Sequence, residues 1–483
     1  MKTCFLFLVG LGTLLPFRGY PQNFWNLDFE YGLYKAQPRI WSIEGEGENY
    51  SAQLDSTTTY SGHRSLHLVL KNAQVFLFVP IPAKLIAGKT VTLEGYVKFA
   101  QSDSLQARLL FHNPSTSSPI ASESIISADK TWKVVAHQAS FPVNYSSDRL
   151  LVALSAEGTG EYWIDAISIK IDGRQQGNGA PDFKEPTRSE LQALNKKAIP
   201  IQSIDPQSRS NDLAPLKRLI GRARIVALGE NSHGSASIYQ LKLRLVKHLV
   251  EQAGFTVFAL EMPMLEADRI NDYLLNGKGT RQEVAKNLSY KSWQTKEMMA
   301  IIQWLFTYNK TARQKVEFRG FDRPILADKT KSRDEQMARA IEGFLSTCQP
   351  ACKIIVSADN THVTKSSGKM GDFLHRHYGK DYLAVGFTYG RGTYSAYGPE
   401  PYYEVHPPYV GTYEYFFSKS DYPNFLLDLR TTGAIPILNQ SAGFRSIGSR
   451  PQETTQFAEI RIKNHFDLIV YQAESVHTTY LTK

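Results

Sequence analysis

The hydrophobic positions change rhythm partway along the chain. Over residues 23–172 they alternate with polar positions in short runs, SLHLVL, VFLFVP, VTLEGYVKF, ARLLFH, WKVVAHQASF, LLVALSA and YWIDAISIKI, parted by turn residues. Alternation of this kind predicts strands with one buried face, and hence an all-β sandwich. The stretch DGRQQGNGAPDFKEPTRSE then carries no period and is rich in Gly, Pro and polar residues, which marks a linker over residues 173–190.

Beyond it, over residues 191–483, strand-like and helix-like runs take turns. RIVALGE reads as a strand; SIYQLKLRLVKHLVEQAG sets Ile238, Leu241, Leu245 and Leu249 on one helical face and closes on Gly254; FTVFALE reads as the next strand. A strand, a helix of that length and a strand predict a right-handed crossover between parallel neighbours. VEFRGFD, KIIVSAD, YLAVGFTYG and FDLIVYQ continue the series, with KEMMAIIQWLFTYN and DEQMARAIEGFL between them. The fold class expected is therefore multidomain: a β-sandwich followed by an α/β domain on a mainly parallel sheet.

Composition narrows the setting. A chain of 483 residues, 42% hydrophobic and 21% charged, is globular and long enough for more than one core. MKTCFLFLVGLGTLLPF offers one Lys and then an acid-free apolar run, which predicts a signal peptide over residues 1–21 and export to the periplasm or the cell exterior. No later run nears the roughly 20 apolar residues that a membrane span requires. The net charge of +9 is dispersed, without the Lys/Arg block that tracks nucleic acid. Cys348 and Cys352, in CQPAC, suit either a short-loop disulfide or two free thiols on a helix turn.

The chemistry gathers where strands end. Glu230 closes the first strand, with His233 three residues on; Glu261 closes the second, Asp322 the third and Asp359 the fourth, again with a histidine, His362, three residues on. Ligands of open parallel sheets bind outside such carboxyl ends. Each acid also has a plain structural use: Glu230 as a cap or ion-pair partner, Glu261 paired with Arg244 or Arg269, Asp322 in a turn. Of the other histidines, His248 is placed mid-helix and His375 and His377 lie on a helix beside Arg376, as surface or core residues. The stretch FTYGRGTYSAYGPEPYYEVHPPYVGTYEYFF, which includes Tyr389 and Tyr394, reads as a loop that either walls a ligand site with rings or packs under the sheet.

Longer blocks carry a resemblance. The segment from AIPIQSIDPQ through GENSHG and FALEMP to LLNGKG, then FRGFDRP, KIIVSADNTHVTK, GKMGDFLHRHYGKDYLAVGFTYGRGTYSA and HFDLIVYQAESVH, resembles the erythromycin esterase-like family in the expected order from Ala198 onward. The resemblance implies hydrolysis of an ester or lactone, with macrolide inactivation as one such activity, the motif histidine His233 as general base on water and Glu230 holding it. One block departs from the family pattern: His-Asn-x-His becomes Asp359-Asn360-Thr361-His362. The departure bears on macrolide lactones more than on the reaction class. NFWNLDFE, YSGHRSLHL and GTGEYWIDAISIKIDG likewise resemble jelly-roll modules related to carbohydrate-binding domains, which implies a glycan partner; Trp25, Trp41 and Trp163 are then either core aromatics or sugar platforms.

No Gly-x-Ser-x-Gly elbow occurs in the α/β region, so activated water is the economical nucleophile and Ser232 a loop residue. His362, Glu261 and the pair Lys242/Arg244 are the groups expected around it, with His362 preferred for the oxyanion and the basic pair alternatively a solvated helix face. No cofactor is required. The rival is a hydrolase holding a divalent transition metal on Glu230, His233, Asp359 and His362, two matching carboxylate-x-x-His pairs. A third class is a non-catalytic protein that binds glycan or another ligand through the sandwich.

Overall fold

The computed structural model describes residues 25–30, 38, 41–46, 49–102, 106–113, 119–125, 130–145, 147, 149–177, 185–322, 328, 330–348, 352–433, 435–451 and 456–481. The segment expected to be a signal peptide lies outside them. The chain forms two compact units that divide after Asp182.

The first unit is antiparallel throughout. Two long strands, Ser65–Pro82 and Arg149–Ile171, pair with each other along most of their length and pass through both layers of a sandwich. Their first and last halves gather different neighbours. Tyr50–Asp55, Thr90–Ser102 and Lys133–Ser140 complete one layer; Ser42–Glu46, Gln106–His112 and Pro119–Ile125 complete the other. Leu66, Leu68 and Ile164 from one layer and Leu77, Phe111 and Val152 from the other share a single core. SLHLVL with VFLFVP, and LLVALSA with YWIDAISIKI, are thus one strand each. What breaks the alternation is a register shift between Leu70 and Ala73, where Asn72 takes a positive φ of 51° and its N–H binds Thr159 Oγ1 at 2.9 Å. Trp25 and Trp41 are buried core rings, whereas Trp163 is half-buried, stacked on His67 at 4.5 Å and bonded through Nε1 to Asp55.

The second unit is an α/β layer structure. Its main strands are β1 (Ile225–Leu228), β2 (Val257–Pro263), β3 (Glu317–Asp322), β4 (Ile354–Ser357), β5 (Tyr382–Tyr394), β6 (Asn424–Asp428) and β7 (Leu468–Ser475). Their order in the sheet is β6-β7-β5-β1-β4-β2-β3, parallel from β7 to β3, with β6 antiparallel at one side and the short Ile199–Pro200 paired beyond it. Helices α1 (Ala236–Ala253), α2 (Met264–Asn276), α3 (Lys296–Thr311), α4 (Arg333–Thr347), α5 (Met370–Tyr378) and α6 (Tyr413–Ser418) connect and cover it. Helix α1 begins where Ser235 Oγ accepts the Ile238 N–H and stops at Gly254 in the left-handed region, as its pattern predicts.

The aromatic stretch is not one loop. Its start completes β5, Tyr403–Glu404 is a short strand against it, and its end is α6, capped by Thr412. Tyr389, Tyr394, Tyr413, Phe416 and Phe417 are buried, so these rings pack the sheet. Cys348 and Cys352 form a disulfide between the end of α4 and the approach to β4. Among the described residues no helix is long and apolar enough to cross a membrane.

Candidate active site

Strand order settles what strand sequence alone leaves open. β1, β4, β2 and β3 are consecutive in the sheet, so Glu230, Asp359, Glu261 and Asp322 are delivered along one edge of carboxyl ends. The connections that leave β1 and its neighbour β5 run to opposite sides of the sheet, and a crevice opens at such a position in folds of this kind.

The loop after β1 is held from several sides. At Gly229 a Cβ would stand 2.1 Å from Asn360 Oδ1, and at Gly234 one would stand 1.8 Å from the Ser395 carbonyl oxygen, so neither position has room for a side chain. The carbonyl of Asn231 accepts the N–H groups of Ile447 and Gly448, and the His233 N–H binds the Gly448 carbonyl at 3.1 Å. Ser232 Oγ accepts the Gly234 N–H and is fully buried, a loop residue.

That loop presents a hydrogen-bonded group around Glu230. His233 Nδ1 lies 2.7 Å from Glu230 Oε1, which also accepts from the Tyr239 hydroxyl at 2.8 Å. Lys242 Nζ donates to Glu230 Oε2 and, at 3.0 Å, to Ser357 Oγ. Glu230 is entirely buried; burial alone would raise its pKa, but the Lys242 charge and the His233 hydrogen bond outweigh that and hold the carboxyl below its usual range. For His233 burial opposes the charge, and the Glu230 carboxylate, helped by Glu261 and Asp359, more than compensates, so its pKa rises. A carboxylate on Nδ1 fixes the tautomer and leaves Nε2 as the working nitrogen.

A second group forms around Glu261. Its Oε1 accepts from Arg333 Nη2 at 2.9 Å and its Oε2 from the Asp359 backbone N–H at 3.1 Å. Arg333 also spans Asp322, with Nε on Oδ1 at 3.0 Å and Nη2 on Oδ2 at 2.9 Å, and Tyr290 donates to the same Oδ2 at 2.8 Å. His362 rests its Nδ1 against Asp334 Oδ1 at 2.8 Å. Its Nε2 is 3.4 Å from both Glu261 Oε1 and Arg333 Nη1. Asp359 caps the short helix Asn360–Val363, Oδ1 accepting the Thr361 N–H. Burial pushes the Asp359 carboxyl above the ordinary aspartate range, against the pull of His233, Thr361 and His362.

Several expectations change here. Lys242 and Arg244 are not a solvated face: both are buried, and they point to different partners. Lys242 stands behind Glu230, whereas Arg244 binds Asp212 at 2.6 Å and the carbonyls of Ser203 and Arg209, tying down the loop before the motif and standing apart from the site. Glu261 pairs with Arg333 rather than with Arg244 or Arg269. Tyr389 and Tyr394 are core rings, one beneath the Arg445 guanidinium and the other beside Tyr403, and neither is placed to meet a ligand. Among the described residues no three or more His, Cys, Asp or Glu side chains are grouped so as to hold a metal ion. The oxygens of Glu230 are taken up by His233, Tyr239 and Lys242, and Nδ1 of His362 by Asp334.

Sequence reading passed over Tyr239, Tyr290, Trp293, Arg333, Asp334 and Ser357. For Arg333 and Asp334 a signal existed: an Arg-Asp pair in the first turn of the helix that follows a strand ending in an acid. Trp293, which closes over His233, comes from a short turn with no periodic signature.

A profile of the erythromycin esterase family matches residues 250–331 and 325–475. Erythromycin esterase type II of Escherichia coli is 37% identical over 131 residues, 27% of this chain and 31% of that protein. Erythromycin esterase type I of Escherichia coli is 25% identical over 178 residues, 35% of this chain and 42% of that one. The chain thus spans well under half the length of either curated relative. A crystal structure of a succinoglycan biosynthesis protein superposes with a TM-score of 0.55 at 21% identity, covering 61% of this chain and 99% of that one, which shows a shared fold. The α/β unit is thus similar to the erythromycin esterase family over residues 250–475.

Proposed function

We propose that the α/β unit hydrolyses an ester or lactone with water activated by His233. The observation that carries this reading is the Glu230–His233 contact: a buried carboxylate on Nδ1 orients the ring and stabilises the imidazolium formed when Nε2 takes a proton from water. The water oxygen bonds to the acyl carbon, and the carbonyl electron pair becomes an oxyanion. In this reading the half-exposed Arg333 and the His362 ring, both beside Glu261, meet that charge. Lys242 and Tyr239 act from behind, holding Glu230 ionised and in place.

The test is a panel of short esters, lactones and macrolides assayed with and without chelator. His233→Ala should abolish hydrolysis while circular dichroism stays unchanged; a near-normal rate contradicts the assignment. No resident metal enters this reading, and activity that disappears with chelator and returns with a divalent transition metal would replace it with the metal-dependent one. Macrolides sit in the panel because relatives carry that name, and Asp359 makes them its most informative members.

We further propose that the protein is exported and that the sandwich binds glycan. The leader pattern and the Cys348–Cys352 disulfide support export. The mass of the mature N-terminus from a secreting host checks it, and glycan titration of the full-length protein, compared with Trp163→Ala, checks the second.

A further inference from the structure

The Glu230–His233 pair has a counterpart in Asp334–His362, whose carboxylate the hydrolytic reading leaves without a use of its own. In each, a carboxylate engages Nδ1 of a histidine and leaves Nε2 toward the site. The second carboxylate is Asp334, in the first turn of α4, only 13% exposed. It has little other work. Its Oδ1 also accepts the Met370 backbone N–H at 2.9 Å, and Lys369 Nζ lies at the outer limit of contact, 4.0 Å from Oδ2.

The surroundings of His362 Nε2 are unusual in suiting either protonation state. Glu261 Oε1 is an acceptor for an Nε2–H, and Arg333 Nη1 is a donor to a bare Nε2, both at 3.4 Å. A ring in such a position can give up a proton without losing its place. The loops that carry the two imidazoles also meet: the Asn360 N–H binds the Glu230 carbonyl at 2.7 Å and the Asp359 N–H binds Glu261 Oε2 at 3.1 Å, so both rings stand on adjoining loops at one edge of the sheet. Esters of poor leaving groups need a proton delivered as the alcohol departs, and nothing in the Glu230–His233 pair supplies it at the far side of the carbonyl.

We propose that Asp334 is a positioning residue that holds His362 so that its Nε2–H protonates the departing alkoxide. This rests on the hydrolytic reading. The tetrahedral intermediate re-forms its carbonyl, the bond from the acyl carbon to the alkoxy oxygen breaks, and that oxygen takes the proton from His362. The products are the carboxylic acid and the alcohol; His362 is left neutral, His233 keeps the proton from water, and solvent exchanges both.

The experiment compares an alkyl ester with the 4-nitrophenyl ester of the same acid, since 4-nitrophenolate leaves without protonation. Asp334→Asn keeps the shape and removes the charge. It should lower kcat on the alkyl ester by about 10²–10³-fold and leave the nitrophenyl ester within a few-fold, with KM little changed; Asp334→Glu should restore part of the alkyl rate. Equal losses on both esters, the mark of a structural role, or no loss on either, overturn the proposal while leaving the hydrolytic reading standing. Hydrolysis that does not depend on His233 overturns that reading and this proposal together. Should Asp334→Asn not fold, the unmodified protein still decides: across phenols and simple alkanols as leaving groups, a shallow dependence of kcat/KM on alcohol acidity supports proton delivery, and a steep one overturns it.

Discussion

His233 and Trp293 meet edge to face, their ring centroids 4.9 Å apart and their planes at 80°. Trp293 is 2% exposed and its Nε1 donates to the Glu261 carbonyl at 3.0 Å, so the indole is fixed by β2 while it closes over the motif histidine. An imidazolium quenches a neighbouring indole. Emission from Trp293 is therefore expected to rise with pH as His233 loses its proton, and the step should vanish in His233→Gln and in Trp293→Phe. Identical fluorescence titrations for all three proteins would contradict the pairing.

The same titration governs activity. Burial disfavours the His233 charge, yet the Glu230 bond and the charges of Glu230, Glu261 and Asp359 lift its pKa from 6.5 to about 9. A general base works unprotonated, so kcat/KM on a neutral ester is expected to climb roughly tenfold per pH unit and level off near pH 9. Stability runs the opposite way. A folded pKa above the unfolded one stabilises fully below about pH 6.5 and loses that contribution as pH rises through about 9. Urea midpoints and rates measured across this window should cross, and a flat rate profile would remove His233 from the role.

Lys242 is the counter-charge that allows a buried Glu230. Lys242→Met leaves a fully buried carboxylate with only Tyr239 and His233 against it. A loss of about 3–5 kcal/mol is expected for breaking a buried pair from one side, together with a fall in activity, read by urea unfolding and ester assay. The double change Glu230→Gln with Lys242→Met should recover much of the stability and none of the activity.

Gly234→Ala tests the close approach of two backbones. With the Ser395 carbonyl oxygen 1.8 Å from where the Cβ would be, the motif loop or the end of β5 must shift. Activity should fall by at least about 10², and crystallographic or NMR comparison should show the shift; an unchanged rate would mean that the loop yields freely.

The disulfide is remote from these groups. Closing a loop this short removes little unfolded-chain entropy, about 2 kcal/mol. Cys348→Ser with Cys352→Ser should lower the melting temperature modestly, leave kcat/KM unchanged, and abolish the sensitivity of that melting temperature to reductant.

Where period and chemistry coincide, the sequence was readable. The α1 face, its Gly254 stop, the parallel strands and the acids at their ends all follow from local pattern. The missing part was relational. SLHLVL and VFLFVP look like two strands because a bulge at Asn72 interrupts alternation much as a turn does, and only the partner strand distinguishes them. Lys242 and Arg244 share a helix and a charge, yet one reaches Glu230 and the other Asp212, a difference set by what packs on each side of α1. Arg333 follows Asp322 by 11 residues but Glu261 by 72, and no spacing rule joins it to the second.

The position of β4 has a consequence for how the protein comes to work. β1 and β2 follow one another along the chain but are not neighbours; β4, synthesised about 130 residues after β1, lies between them and pairs with both. Until it inserts, Glu230 and Glu261 belong to edges with unpaired backbone. The nascent chain must keep that slot vacant, and a slip that let β1 pair directly with β2 would exclude Asp359 and His362 altogether. The four strand-end acids share one edge only once that long-range pairing is made, so recovery of hydrolysis during refolding is expected to follow the capture of the central strand.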